Sequence, residues 1–376
     1  MLQKYGKQLS LVLAAVLLFC ACSSQQVQSS EEAFSAMPSV EMLTGPGQLL
    51  DSVYADMQTG YCYLEEGRLL YQGYDGSEAG LLADLNDLAG KVFCIGADEN
   101  VFLVEVTSAA ISPAAELPPC RLWRVGADGE GLHLLHIFTG KEWVADMSGV
   151  AWDGERLYLV KYTLDQQQAP VKASLIGVHG QNGEEQVLCE WPAEEENARY
   201  TLCGAAEGQL LIQKAQAPDK TRPWREQTGE LVRTLLTVDP ASGSCKSDLN
   251  DCTPAPGRLI HGGSLFWWDE SVGELKETKI FTGEEVVLRK DTSAHTWQVT
   301  GYWDGRLLLS KAGEEKNTYA FDLESGELFL VPAEAGRVLL ESSQFLLVEK
   351  GGEDPVIVPK AAYWDEAKTP PSLQET

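Results

Sequence analysis

One pattern recurs through the body of this chain and restricts its fold more than any other: a turn built on Gly, followed by a short run of alternating apolar residues. It stands as Gly67-Arg68-Leu69-Leu70-Tyr71, Gly154-Glu155-Arg156-Leu157-Tyr158-Leu159, Gly208-Gln209-Leu210-Leu211-Ile212, Gly263-Ser264-Leu265-Phe266-Trp267 and Gly305-Arg306-Leu307-Leu308-Leu309. Between these lie hairpins such as Leu122 to Gly129, Leu175 to Glu184, Leu235 to Gly243 and Tyr319 to Glu327, where an Asp/Asn-Gly or Ser-Gly turn joins two runs of period two. Trp152-Asp153-Gly154 returns as Trp303-Asp304-Gly305, 151 residues later. That displacement is close to three units of about fifty residues, and a period of roughly forty to fifty with four strands per unit belongs to a β-propeller.

Allotting strands to units predicts blades near 54–84, 90–138, 143–191, 198–250, 257–290, 296–331 and 336–366. The expected fold is therefore all-β, a β-propeller of seven blades with four antiparallel strands each, six and eight blades being the alternatives. A pair of β-sandwiches would also show short strands and regular turns, but the long period argues against it. Helical spacing is expected only around Ala79 to Leu88.

The N-terminal end follows a different rule. Lys4 and Lys7 precede the apolar run Leu9 to Phe19, a charged region and a hydrophobic region in the order of an export signal. The run is too short to span a hydrocarbon core of about 30 Å, and no later stretch approaches the roughly eighteen apolar residues a spanning helix needs. At its end stands Phe19-Cys20-Ala21-Cys22-Ser23-Ser24, which resembles the lipobox of bacterial lipoproteins. The resemblance implies diacylation of Cys22, cleavage before it, and anchoring to the outer leaflet of the cell membrane, or to an outer membrane in a cell that has one. Phe19 departs from the Leu usual three residues before the cysteine. Two acyl chains at about 0.8 kcal/mol per buried CH₂ anchor stably where one would be marginal. Ser23 to Glu32 is polar and cannot bury enough apolar surface to order itself. The chain thus reads as a signal peptide at 1–21, a polar tether at 22–50, the propeller at 51–366 and a tail at 367–376. The body resembles the extracytoplasmic propellers of Gram-positive lipoproteins, loosely related to Tol-type and quinoprotein-type propellers. That resemblance implies a fold and no activity.

A net charge of −27, more negative once Lys4 and Lys7 are removed, opposes binding to nucleic acid. Of nine cysteines, Cys20 falls in the signal and Cys22 at the anchor; seven remain, at 62, 94, 120, 189, 203, 245 and 252. An odd number cannot all pair, and none of the spacings is Cys-x-x-Cys. Cys245 and Cys252 enclose a short turn-rich segment and are the expected disulfide; the others, such as Cys94 in Val92-Phe93-Cys94-Ile95, read as small core residues.

No metal or cofactor is expected, because none of the five histidines lies in a ligand-pairing motif, and His133 and His136 should point to opposite faces of one strand. No Gly-x-Ser-x-Gly elbow is present, so no catalytic residue is assigned. Trp267, Trp268, Trp297, Tyr302 and Trp303 enrich the C-terminal half in aromatic surface, most of it expected in blade packing and one or two rings in a binding face. The segments Thr107 to Pro119 and Ala215 to Glu230 read as long loops. The second is locally basic, with Trp224 between Arg222 and Arg225 as a candidate interface anchor. The functional expectation is a lipid-anchored binding or scaffold module for an envelope protein or other envelope component. The alternative is a propeller hydrolase or lyase acting on extracellular glycan.

Overall fold

The computed structural model describes residues 40–44, 53–88, 90–96, 100–106, 120–126, 131–144, 148–166, 169–219, 231–247, 257–291, 296–313, 317–351 and 354–368. Two kinds of turn set its local structure. At Glu66-Gly67, Glu207-Gly208, Gly262-Gly263 and Asp304-Gly305 both central residues have positive φ, the type I′ geometry whose twist matches the strands on either side. In the second kind, Gly183, Gly243, Gly283 and Gly326 all have φ near 70°. Each donates its N–H to the carbonyl four residues back, on His179, Asp239, Lys279 and Asp322, at 2.8–2.9 Å. A side chain with a Cβ adopts this left-handed conformation only at a cost, which is why Gly recurs at these four places.

These turns fold the described residues into seven antiparallel sheets, the blades of a seven-bladed propeller. They span 54–84, 91–137, 142–191, 198–246, 258–290, 297–331 and 337–359. The two Trp-Asp-Gly repeats occupy corresponding hairpins three blades apart, joining Val150–Trp152 to Arg156–Leu164 in blade 3 and Trp297–Trp303 to Arg306–Lys311 in blade 6. Blade 7 has three strands, and its chain continues directly into the helix Lys360–Lys368, which packs against blade 6. Tyr363, Trp364 and Ala367 form the buried face of that helix.

An additional strand, Glu41–Thr44, joins blade 3 on the axis side of its innermost strand, pairing Glu41 with Trp152 and Met42 with Ala151. It also reaches Lys91–Gly96 and Ala198–Ala206, the innermost strands of blades 2 and 4. Val40 is buried, and Met42 and Leu43 pack against the cores on either side of blade 3. This strand falls inside the stretch read from sequence as tether.

The apolar core is divided by seam. Six clusters lie between blades 1 and 2, 2 and 3, 3 and 4, 4 and 5, 5 and 6, and 6 and 7. Fully buried side chains such as Leu157, Leu159 and Leu175 each contribute about 2 kcal/mol relative to exposure. Blades 7 and 1 meet instead through aromatic rings: Phe345 stacks at 5.2 Å on Tyr74, whose hydroxyl is held within blade 1 by donating to Asp56.

The helical spacing expected at Ala79 to Leu88 is overturned, because Gly80–Asp84 is a strand paired to Arg68–Gly73. The residues buried there, Ala83 and Leu85, follow period two, while Leu81 is exposed. Pairing along the edge of an existing strand supplies the backbone with partners that so short a helix would lack.

Candidate functional site

Trp303, at the head of the hairpin Trp303-Asp304-Gly305-Arg306, lines a cleft between blades 6 and 7. Arg306 Nη1 donates to Asp304 O at 2.6 Å and to Asp304 Oδ2 at 2.9 Å, and its Nη2 pairs with Asp322 Oδ2 at 3.0 Å. Held flat in this way, its guanidinium lies 4.6 Å from the centre of the Trp364 ring, a cation–π contact that docks the C-terminal helix on blade 6. At the helix start, Lys360 Nζ reaches Glu341 Oε1 at 2.6 Å and Asp304 Oδ1 at 3.4 Å. Tyr363 donates its hydroxyl to Gly336 O at 3.2 Å.

These contacts hold the helix as a wall rather than letting it close completely onto the blade. A cavity of about 340 Å³ remains, lined chiefly by Trp303, Leu308, Val331, Arg337, Tyr363 and Trp364. Trp303 is half-buried and Arg337 exposed at the rim, whereas Tyr363 and Trp364 are 3% exposed. The Trp364 indole N–H is buried and meets no acceptor. A buried donor without a partner is costly, so this seam is left unfinished both in volume and in hydrogen bonding.

The acids beside the cleft are committed to cations and backbone amides. Burial pushes Asp322 upward, but the Ser325 hydrogen bonds, Arg306 and Lys368 outweigh it and hold its carboxyl below the ordinary range. Burial would lower Lys360, yet Glu341 and Asp304 raise it. A general acid at neutral pH needs a carboxyl pushed upward, and this network pushes the other way.

A second polar cluster bridges blades 2 and 3. Lys161 Nζ, on a side chain 8% exposed, contacts Glu142 Oε1 at 2.7 Å and both carboxylate oxygens of Glu185 at 2.7 and 2.8 Å. His136 Nε2 lies 3.1 Å from Glu185 Oε2. The His136 hydrogen bond is the largest influence on Glu185; with Lys161 it overrides burial and holds the carboxyl down at about 2. His133 and His136 were expected on opposite faces of the outermost strand of blade 2, but a bulge at Leu135 interrupts the alternation: His133 pairs with Arg124 and His136 with Leu122, which share one face of the neighbouring strand, and His133 is exposed. No group of three or more metal-ligating side chains gathers among the described residues.

Of the residues singled out by sequence, Cys22, Arg222, Trp224, Arg225 and Cys252 lie outside the described residues. Cys245 is described and exposed, and its thiol interacts electrostatically with that of Cys189 on the neighbouring blade. Among the aromatics, Trp297 is buried in the seam between blades 5 and 6, and Trp303 lines the cleft. Sequence reasoning missed Tyr363 and Trp364. Their signal was the i, i+4 spacing of Tyr363 and Ala367, carried by a helix of only nine residues.

No family model matches the chain, and no curated protein matches it. Solved structures similar to it include an oligogalacturonate lyase in complex with manganese, at 11% identity and TM-score 0.48, covering 87% of this chain and 92% of that one. An oligogalacturonate lyase from Vibrio parahaemolyticus follows at 12% identity and TM-score 0.36, covering 81% and 76%. An acylaminoacyl peptidase from Pyrococcus horikoshii matches at 12% identity and TM-score 0.45, over 76% of this chain and 45% of the peptidase. At such identities and scores the likenesses say nothing of activity.

Proposed function

We propose that this chain is a lipid-anchored extracytoplasmic propeller that binds a protein or other cell-envelope component in the cleft between blades 6 and 7. The observation that carries the reading is the cleft itself: about 340 Å³, walled by Trp303, Tyr363 and Trp364, with a charged rim at Arg337. That volume lies in the range of ligand pockets, and aromatic walls with few polar groups are the usual composition of such sites. The neighbouring acids are locked in ion pairs, which favours recognition over acid–base chemistry. The lipobox resemblance at Cys22 supports the anchor.

The test is a crosslinked pull-down of the full-length chain from native membranes, with Cys22→Ala, Trp303→Ala and Trp224→Ala forms alongside. The expected result is a specific companion that co-purifies with the anchored chain and is recovered at least tenfold less with Trp303→Ala, since an aromatic anchor contributes about 2 kcal/mol or more. Equal recovery with Trp303→Ala, and loss with Trp224→Ala, would move the site to the basic 215–230 segment. Turnover of an envelope glycan by the purified chain would replace binding with catalysis.

A further inference from the structure

Three successive seams each carry a pair of side chains facing one another across the blade boundary. Between blades 2 and 3 the pair is ionic. His136 follows Leu135 in the outermost strand of blade 2; its Nδ1 lies 3.2 Å from Gly183 O and its Nε2 3.1 Å from Glu185. Gly183 presses so closely on that strand that a Cβ there would stand 1.8 Å from Leu135 O.

Between blades 3 and 4 the same construction is repeated with sulfur. Cys189 follows Leu188, and its Sγ donates to Gly243 O at 3.1 Å. A Cβ on Gly243 would stand 2.6 Å from Leu188 O. Two residues beyond that glycine, where the first seam has Glu185, stands Cys245, close enough to Cys189 for the two thiols to influence one another. The thiol pair therefore occupies the position of the ion pair. Between blades 1 and 2, Cys62 and Cys94 meet with their sulfurs 3.5 Å apart, both 0% exposed.

We infer that Cys189–Cys245 and Cys62–Cys94 are two cross-blade disulfide sites, closed by an oxidised disulfide reagent or enzyme. Bringing the Cys62 and Cys94 sulfurs from 3.5 Å to a bond length of about 2.05 Å asks only for small side-chain movement. In the exposed pair the Cys245 thiolate attacks the oxidant's S–S bond, releasing one thiol and forming a mixed disulfide. Cys189 then gives up its proton and attacks the Cys245 sulfur, releasing the second thiol. Two electrons and two protons pass from the protein to the oxidant, which leaves as two thiols. Cys245 suits the first step: it is exposed, and the Cys189 thiol, by turning its proton from Gly243 O to the Cys245 thiolate, outweighs burial and brings that thiol down to about 7. Cys120 and Cys203 are buried in single-sulfur positions where desolvation pushes both thiols up to about 12, so they remain reduced. The supply of oxidant in the cell rests on the extracytoplasmic reading; the pairing does not.

The test separates the two. The full chain, purified reduced in detergent, is incubated with oxidised glutathione, alkylated in denaturant and digested without reductant for mass spectrometry. The expected products are a Cys189–Cys245 link from the folded protein, a Cys62–Cys94 link when the chain is refolded in the same oxidant, and alkylated Cys120 and Cys203. A Cys245–Cys252 link, or full alkylation of Cys62, Cys94, Cys189 and Cys245 after both treatments, would overturn the inference. Pairs that close in vitro but are reduced in protein taken from native membranes would leave the pairing standing and sink the extracytoplasmic location.

Discussion

Gly183→Ala should destabilise the protein by about 4 kcal/mol or more, among the largest effects of any single methyl group in the molecule. Two costs add. Gly183 has φ 70°, a conformation that alone costs an L-residue about 1–2 kcal/mol. The new Cβ would also meet the carbonyl group of Leu135, at 1.8 Å from O and 2.6 Å from C, and both are backbone atoms that cannot rotate away. Blades 2 and 3 would have to separate, taking with them the contacts of His136 and Glu185. Gly326→Ala is the control, having the same φ of 70° and nothing within 4 Å of the added carbon. Chemical denaturation of both variants should show Gly326→Ala losing only the conformational part. Equal losses would mean that the seam does not depend on this close approach.

Lys161→Met should cost about 3 kcal/mol, because it leaves Glu142 and Glu185, both partly buried, without the cation they share, only the His136 contact to Glu185 remaining of the ion pairs described. Lys172→Met, which breaks an exposed pair with Glu190, should cost less than about 0.5 kcal/mol. The two variants should also differ in their dependence on pH. The folded Glu185 carboxyl titrates at about 2, below its ordinary value of 4.5. Its contribution is therefore complete above 4.5 and is lost as pH falls from there toward 2. Denaturation midpoints of the parent and of Lys172→Met should decline through that window. Those of Lys161→Met should decline less, since protonation relieves the repulsion that the substitution creates. A parallel decline in all three would show that His136 alone, and not Lys161, holds Glu185 in its ionised form.

What could be read in the sequence was what is local in the chain. Asp304-Gly305 and Ser242-Gly243 specify their turns within four or five residues, and the return of Trp-Asp-Gly three units later carries the blade count. The pairings that join blades were not legible in this way. Cys245 lies seven residues from Cys252 and a whole blade from Cys189, so proximity along the chain favoured the former. Only the stacking of Gly243 against Leu188 brings Cys189 to it. The strand Glu41–Thr44 was hidden for a related reason. Four residues are too few to show alternation, and they become a strand because Val150–Trp152 offers an unpaired edge. In the cleft, Trp303 was named as an aromatic of interest, while Tyr363 and Trp364 belong to a helix whose single buried turn gives almost no periodic signal.

The strand Glu41–Thr44 also determines how the molecule bears a load. A pull on the chain ahead of Val40 enters the body at its axis and not at its rim. It is met by the hydrogen bonds of one short antiparallel ladder, backed by the buried Val40 and by Met42 and Leu43. Drawn along its length, such a ladder is sheared, and its bonds yield together instead of one after another. The rate of that rupture, a kinetic quantity separate from the stability of the ring, sets the tension the propeller withstands before its centre opens.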